Sequence, residues 1–215
     1  MTTIVSEHGV RDAHVVVPNP GSPRQEAARL SFDRGLEHVD LRAGAEPEAL
    51  LTGRFGEPLP VVWAAGQNVH IAYPIGSRLL RRVGPNAVRV NPAVPWALDV
   101  HGGASRLEAD LTGIDLHSVA FHSGAADVRI ALGHPGGPRR IRLASVSNLT
   151  IERPARVPVR LEIAGGAADV ALDNRRYGAV GNGLADQSEG YHPDAPHYLV
   201  TVAAGAHALT ITGVD

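Results

Sequence analysis

The stretch VHGGASRLEA (residues 100–109) returns as FHSGAADVRI (121–130), RLASVSNLTI (142–151) and IAGGAADVAL (163–172), each copy 21 residues after the last. Gly103, Gly124, Ser145 and Gly166 share one slot. Four places on stand Leu107, Val128, Leu149 and Val170, and six places on Ala109, Ile130, Ile151 and Leu172. The slot three before the glycine reads Val100, Phe121, Arg142 and Ile163, so the third copy breaks there, with Ile141 and Leu143 on either side. Looser copies surround Gly35 (Phe32, Val39, Leu41), Gly84 (Val88, Val90) and Gly205 (Val202, Leu209, Ile211). A fixed period in the range of about 20 to 50 residues means that each unit buries its apolar face by stacking on its neighbours.

Architectures with this period make different demands. A leucine-rich repeat needs an Asn ladder, and the matching places here hold Arg106, Asp127, Asn148 and Asp169; a propeller needs about twice the period. The pattern fits an all-β, single-domain β-solenoid. A coil of about 21 residues has room for three short strands and three turns, and about ten coils at about 4.8 Å give a body on the order of 48 Å long. Val100, Phe121, Ile163 and Val202 point inward with the two slots after the glycine. The glycine marks a turn, through positive φ or close approach of coils, although Ser145 in the same slot speaks against positive φ. The open ends need caps, from the N-terminal segment or another subunit.

Alternation marks strands throughout, and the one helical reading is Ser22 to Leu30, with Pro23, Gln25 and Glu26 after a Ser cap. Residues 1–29 read as an N-terminal segment or cap and 30–215 as the solenoid. Two stretches interrupt it: the Pro-rich 73–95 with Arg78, Arg81 and Arg82, and a Gly- and Pro-containing loop insertion at 173–197. From Gly166 to Gly205 is nearly two periods, so one coil is reshaped into that loop.

With 44% apolar residues but only 4% aromatic ones, the core is filled by Ala, Val, Leu and Ile, which suits a narrow interior. A net charge of -2 with interspersed signs offers no field for nucleic acid or anionic lipid. Without cysteine there is no disulfide framework and no thiolate metal site. The first 17 residues, with Glu7, His8, Arg11 and Asp12, do not read as a signal peptide, and no apolar run is long enough to insert in a membrane. The expected location is the cytoplasm.

The copies Ile163 to Val170 and Val202 to Leu209, following alternating strands and closing at Ile211, resemble the toastrack family of bacterial β-solenoids. That family includes the "putative adhesin" domain and the C-terminal domain of cell-wall-active antibiotic response proteins. Tyr177 to Val202, with Gly190, Tyr191, Ala195 and Tyr198, is similar to the closing segment of actinobacterial members. The resemblance runs from about Leu30 to Val214 and implies a non-enzymatic role, often beside membrane segments and in envelope-stress signalling, with no shared catalytic residues. The lack of a membrane segment here departs from that pattern and favours a scaffold or partner-binding module.

The chemistry on offer is sparse. His101 and His122 occupy equivalent slots one coil apart and can form half of a metal site, but Leu143 and Ala164 follow in that column. Arg139, Arg140 and Arg142 form a basic cluster suited to phosphate or carboxylate, or to a solvated face. The 173–197 loop gathers Tyr177, Asn182, Asp186, Glu189, Tyr191, His192, Asp194 and His197, which read as partner- or ligand-binding residues. No Gly-x-Ser-x-Gly elbow or phosphate loop occurs. The reading is a non-enzymatic protein-interaction or assembly module, binding a protein or itself, with no cofactor. Its alternative is a carbohydrate-binding or carbohydrate-active β-helix that uses the 177–197 loop, glycan hydrolysis needing two carboxyl groups.

Overall fold

The computed structural model describes residues 3–21, 26–74 and 84–215, and within them every regular element is a strand. Each repeat supplies two strands, one before and one after the glycine slot, where the period alone suggested three. Residues 104–111 follow 96–100 across a short kink, for example, and a four-residue turn at 112–115 leads to the next coil. The strands therefore form two parallel ladders. They are continuous through the long strands Leu116–Leu132 and Arg139–Pro154.

Among the described residues seven coils are stacked, not ten. In chain order they are Ala28–Phe32 with Leu36–Ala43, Asn68–Ala72 with Asn86–Val90, Trp96–Val100 with Ala104–Leu111, Leu116–Leu132, Arg139–Pro154, Val159–Ile163 with Ala167–Leu172, and Tyr198–Val202 with Ala206–Val214. At about 4.8 Å each they span about 34 Å. Chain order is not stacking order. The first coil lies between the second and third, through Phe32 beside Ile71 and Val100 and through Leu41 beside Val88 and Ala109. The seventh lies between the fifth and sixth, through Val202 beside Leu143 and Ile163 and Ile211 beside Ile151 and Leu172.

These two out-of-order junctions are marked by glycine. A Cβ on Gly102 would overlap the backbone of Arg34 in the first coil, and one on Gly165 would overlap the backbone of Ala204 in the seventh. The frame glycines have a different role from the one expected. Of the frame glycines Gly35 has positive φ, at 88°, but the recurring left-handed position is a different one, His38, Arg106, Asp127, Asn148, Asp169 and Ala208, at φ 51 to 55, each three places after the slot. Pairing skips that residue, running from Ser105 with Ala126 directly to Leu107 with Val128. The insertion shifts the strand's alternation by one. Hence Ala104, Leu107 and Ala109, at one, four and six places after the glycine, all point inward and are 4% exposed or less. At Gly124 an added Cβ would make only ordinary van der Waals contact, with Ser145 Oγ at 3.5 Å.

The core is one cluster that includes Val100, Phe121, Ile163 and Val202. In the third copy Phe121 pairs with Leu143, 22 residues on, while Gly124 pairs with Ser145, 21 on. The fifth coil is one residue shorter at its kink, so Ile141 and Leu143 turn in and Arg142 faces solvent.

Antiparallel strands close both ends. Val61–Ala65 and Ala49–Arg54 lie on the second coil, with His14–Pro18 and Thr3–Ile4 outside the latter. Arg175–Tyr177 and Leu184–Gln187 lie on the sixth. At one end the strands that lie directly on the coil come from 49–65, with the N-terminal strands outside them, and at the other they come from the 173–197 loop. The helical reading fails where it can be seen, since Ala28–Phe32 is a strand with alternate partners on both sides; residues 22–25 and the cluster Arg78, Arg81 and Arg82 lie outside the described residues. The 73–95 stretch contributes Asn86–Val90 to the second coil. Among the described residues no helix is long and apolar enough to cross a membrane.

Candidate binding cavity at the C-terminal cap

Eight places after the glycine slot the inward position reads Leu111 and Leu132, and then Arg153. The arginine keeps the inward orientation of its slot and is 2% exposed. Its Nη2 donates to both oxygens of Asp173, at 2.8 and 2.6 Å, and its Nη1 reaches the carbonyls of Pro154 and Ala155 at 3.3 Å. Gly213, opposite Arg153 on the seventh coil, leaves the room, since a Cβ there would lie 3.2 Å from Nη1. Asp173 also accepts from the Gly213 N–H at 3.2 Å. Arg153 Nε is buried and has no partner.

Beyond Asp173 the chain turns back to form the cap. Asp186, on the strand that extends the first ladder, accepts from the hydroxyl of Tyr177, on the strand that extends the second, and pairs with Arg175 Nη1 at 3.1 Å. The hydrogen bond to Asp186 raises the Tyr177 hydroxyl above its ordinary value. Asp186 thus ties the two ladders together across the solenoid end.

Between this cap and the turn at Arg153 and Ala155 lies a cavity of about 800 Å³, lined among others by Asn174, Arg175, Gln187, Glu189 and Tyr191. Tyr191 is held edge-on against His197 at 4.8 Å, and the Arg160 guanidinium lies 5.9 Å from its ring centre. His197 is buried, with Nδ1 2.7 Å from the Ala195 carbonyl.

The loop residues singled out in the sequence therefore separate. Glu189 and Tyr191 line the cavity together with Asp186, whose carboxylate is spent on the latch. Tyr177 belongs to the latch and His197 supports Tyr191. Asn182 lines a different, shallow pocket with Glu162 and Thr201. His192 and Asp194 point to solvent, 69% and 91% exposed. Arg153 and Asp173 were missed, although the column Leu111, Leu132, Arg153 carried the signal of a charge in a core slot.

His101 and His122 do stack, with ring centres 4.6 Å apart and planes within 3°. His122 Nε2 lies 3.4 Å from Asp99, which is bonded to Arg29. Among the described residues no group of three His, Cys, Asp or Glu is arranged to hold a metal ion. Arg139 pairs with Asp115, while Arg140 and Arg142 are exposed.

A groove of about 680 Å³ crosses the outer face of the second ladder over five coils, along the positive-φ column His38, Arg106, Asp127 and Asn148. Arg106 pairs with Glu37, and Asn148 donates to Asp127 at 2.7 Å.

No curated protein matches the chain in sequence. A solved crystal structure from Clostridium sporogenes ATCC 15579, described as a "putative cell adhesion protein", is similar over 96% of this chain and 100% of its own, at 16% identity and a TM-score of 0.64, which shows a shared fold. The family model described as the N-terminal domain of toast_rack, DUF2154, matches residues 85–152. Those residues run from the second strand of the second coil through the fifth coil, and over them the chain is similar to the N-terminal toast_rack domain.

Proposed function

We propose that the chain is a non-enzymatic interaction module that binds a protein partner, or further copies of itself, across the outer face of the second ladder, in the envelope-stress setting that the family resemblance implies. The observation that carries this is the groove over five coils. Its floor repeats every coil while its side chains change from His38 to Arg106, Asp127 and Asn148, so a constant scaffold presents a varied polar surface. The loop's chemistry favours binding over catalysis, because Asp186 and Asp173 are consumed by structural partners. The adhesion description of the structural neighbour accords with such a role. The cytoplasmic location read from the sequence belongs to the same proposal, and fractionation of the host checks it.

The test is capture of the full-length protein from its host under gentle cross-linking, with wild type beside the charge-reversed pair Glu108→Arg and Arg129→Glu. Both side chains line the groove on its exposed side. A partner recovered with wild type and lost with the folded variant supports the reading. Equal recovery with both moves the interface elsewhere and overturns it.

A further inference from the structure

We infer that the cavity at the C-terminal cap is a binding site for a neutral saccharide. Its volume of about 800 Å³ lies within the range of about 300–1,000 Å³ typical of small-molecule sites. Its lining carries two guanidinium groups, Arg153 and Arg175, and three carboxylates, Asp173, Asp186 and Glu189. Two carboxylates neutralise the two arginines in direct pairs, leaving Glu189 as the unbalanced charge. An anionic ligand would meet a net negative wall, so phosphate and uronate ligands are disfavoured.

The remaining groups suit hydroxyls. Glu189 accepts hydrogen bonds, Asn174 both donates and accepts, and Tyr191 offers a ring with a polar tip for the apolar face of a pyranose. Tyr191 is pre-oriented by His197 and Arg160, which lowers the cost of ordering it on binding. Arg153 forms part of the inner wall. It is 2% exposed, it lines the cavity, and its Nε donor has no partner, a state shared among the described residues by Tyr73 Oη and Arg139 Nε. A buried donor left unpaired is costly.

Saccharide and protein binding would use different surfaces, the cap cavity and the ladder groove, so either can fail alone. The test measures binding of cellohexaose, maltohexaose, chitohexaose and the anionic hexagalacturonate to the full-length protein by titration calorimetry. Pull-down on insoluble cellulose and chitin distinguishes free oligosaccharide from polymer as the source. The expected result is millimolar or tighter binding of at least one neutral hexasaccharide, weakened about tenfold by Tyr191→Ala and reduced also by Glu189→Gln. Glu189→Gln should keep the wild-type melting temperature, because Glu189 is exposed. If Tyr191→Ala loosens the loop, Glu189→Gln alone decides. Absence of binding by all three neutral sugars, binding of hexagalacturonate alone, or affinities unchanged in both variants would overturn the assignment.

Discussion

Arg153 Nη2 donates to both oxygens of Asp173, at 2.8 and 2.6 Å, across a coil to which neither residue belongs. Arg153 ends the fifth coil, Asp173 follows the sixth, and the seventh runs between them, contributing the Gly213 N–H to the same carboxylate. The pair closes around the inserted C-terminal strand and holds the out-of-order coil in place.

Asp173→Asn should therefore destabilise the protein by about 3 kcal/mol, since it leaves a guanidinium 2% exposed without its counter-charge. Asn tolerates the φ of 53° at this position, so the loss reports the charge and not the backbone. Arg153→Met should cost less than Asp173→Asn, and the double variant less than the sum of the two. Urea denaturation of all four proteins measures this coupling; strict additivity would show that the pair does not act as a clamp.

Gly102→Ala and Gly165→Ala should each cost about 2 kcal/mol or more, because the added methyl meets backbone that cannot rotate away. Gly124→Ala should change stability by less than about 1 kcal/mol, as its Cβ makes only ordinary van der Waals contact and its φ is not in the left-handed region. Denaturation midpoints decide. Equal losses at all three would return the tight contact to the frame glycine.

Ala208 holds a φ of 51° without the local hydrogen bonding that eases Asn and Asp into this region. Ala208→Gly should raise stability by about 0.5 to 1 kcal/mol, whereas Asn148→Ala should lower it, since it also removes the 2.7 Å bond to Asp127. Thermal melting of the two variants should move in opposite directions.

Tyr198, 1% exposed, donates to the Gly133 carbonyl at 2.9 Å, and burial pushes its hydroxyl up to about 12. The folded state keeps the proton that the unfolded chain releases near pH 10, so this contribution is complete below about pH 10 and is lost as pH rises toward 12. It amounts to on the order of 2 kcal/mol, and Tyr198→Phe should flatten the fall in stability over that window while losing about 1 kcal/mol at neutral pH. Burial also raises the Tyr73 hydroxyl, which has no partner, so Tyr73→Phe should be neutral or stabilising. Absorbance at alkaline pH and denaturation of both Phe variants check the pair.

A stack of coils was legible, though not their number, because stacking demands that equivalent side chains recur at equal intervals, and Leu107, Val128, Leu149 and Val170 do so. Even the break at Arg142 announced itself through Ile141 and Leu143. The period by itself determined the fold class, the inward slots and the need for caps. It could not count strands per coil, since one left-handed residue in six of the seven coils shifts the alternation and lets a long strand replace two short ones. Nor could it order the coils. A parallel coil fits on either side of any equivalent coil, and nothing local in residues 198–214 says that they enter between the fifth and sixth. That choice was decided by tertiary contacts alone: the space left by Gly165 for Ala204 and by Gly213 for Arg153, and the Asp173 carboxylate waiting across the gap. The candidate site followed the same division. Its residue types stood together in the loop, but which of them bind the protein to itself and which remain free for a ligand depended on where the cap strands brought Tyr177 and Asp186 into contact.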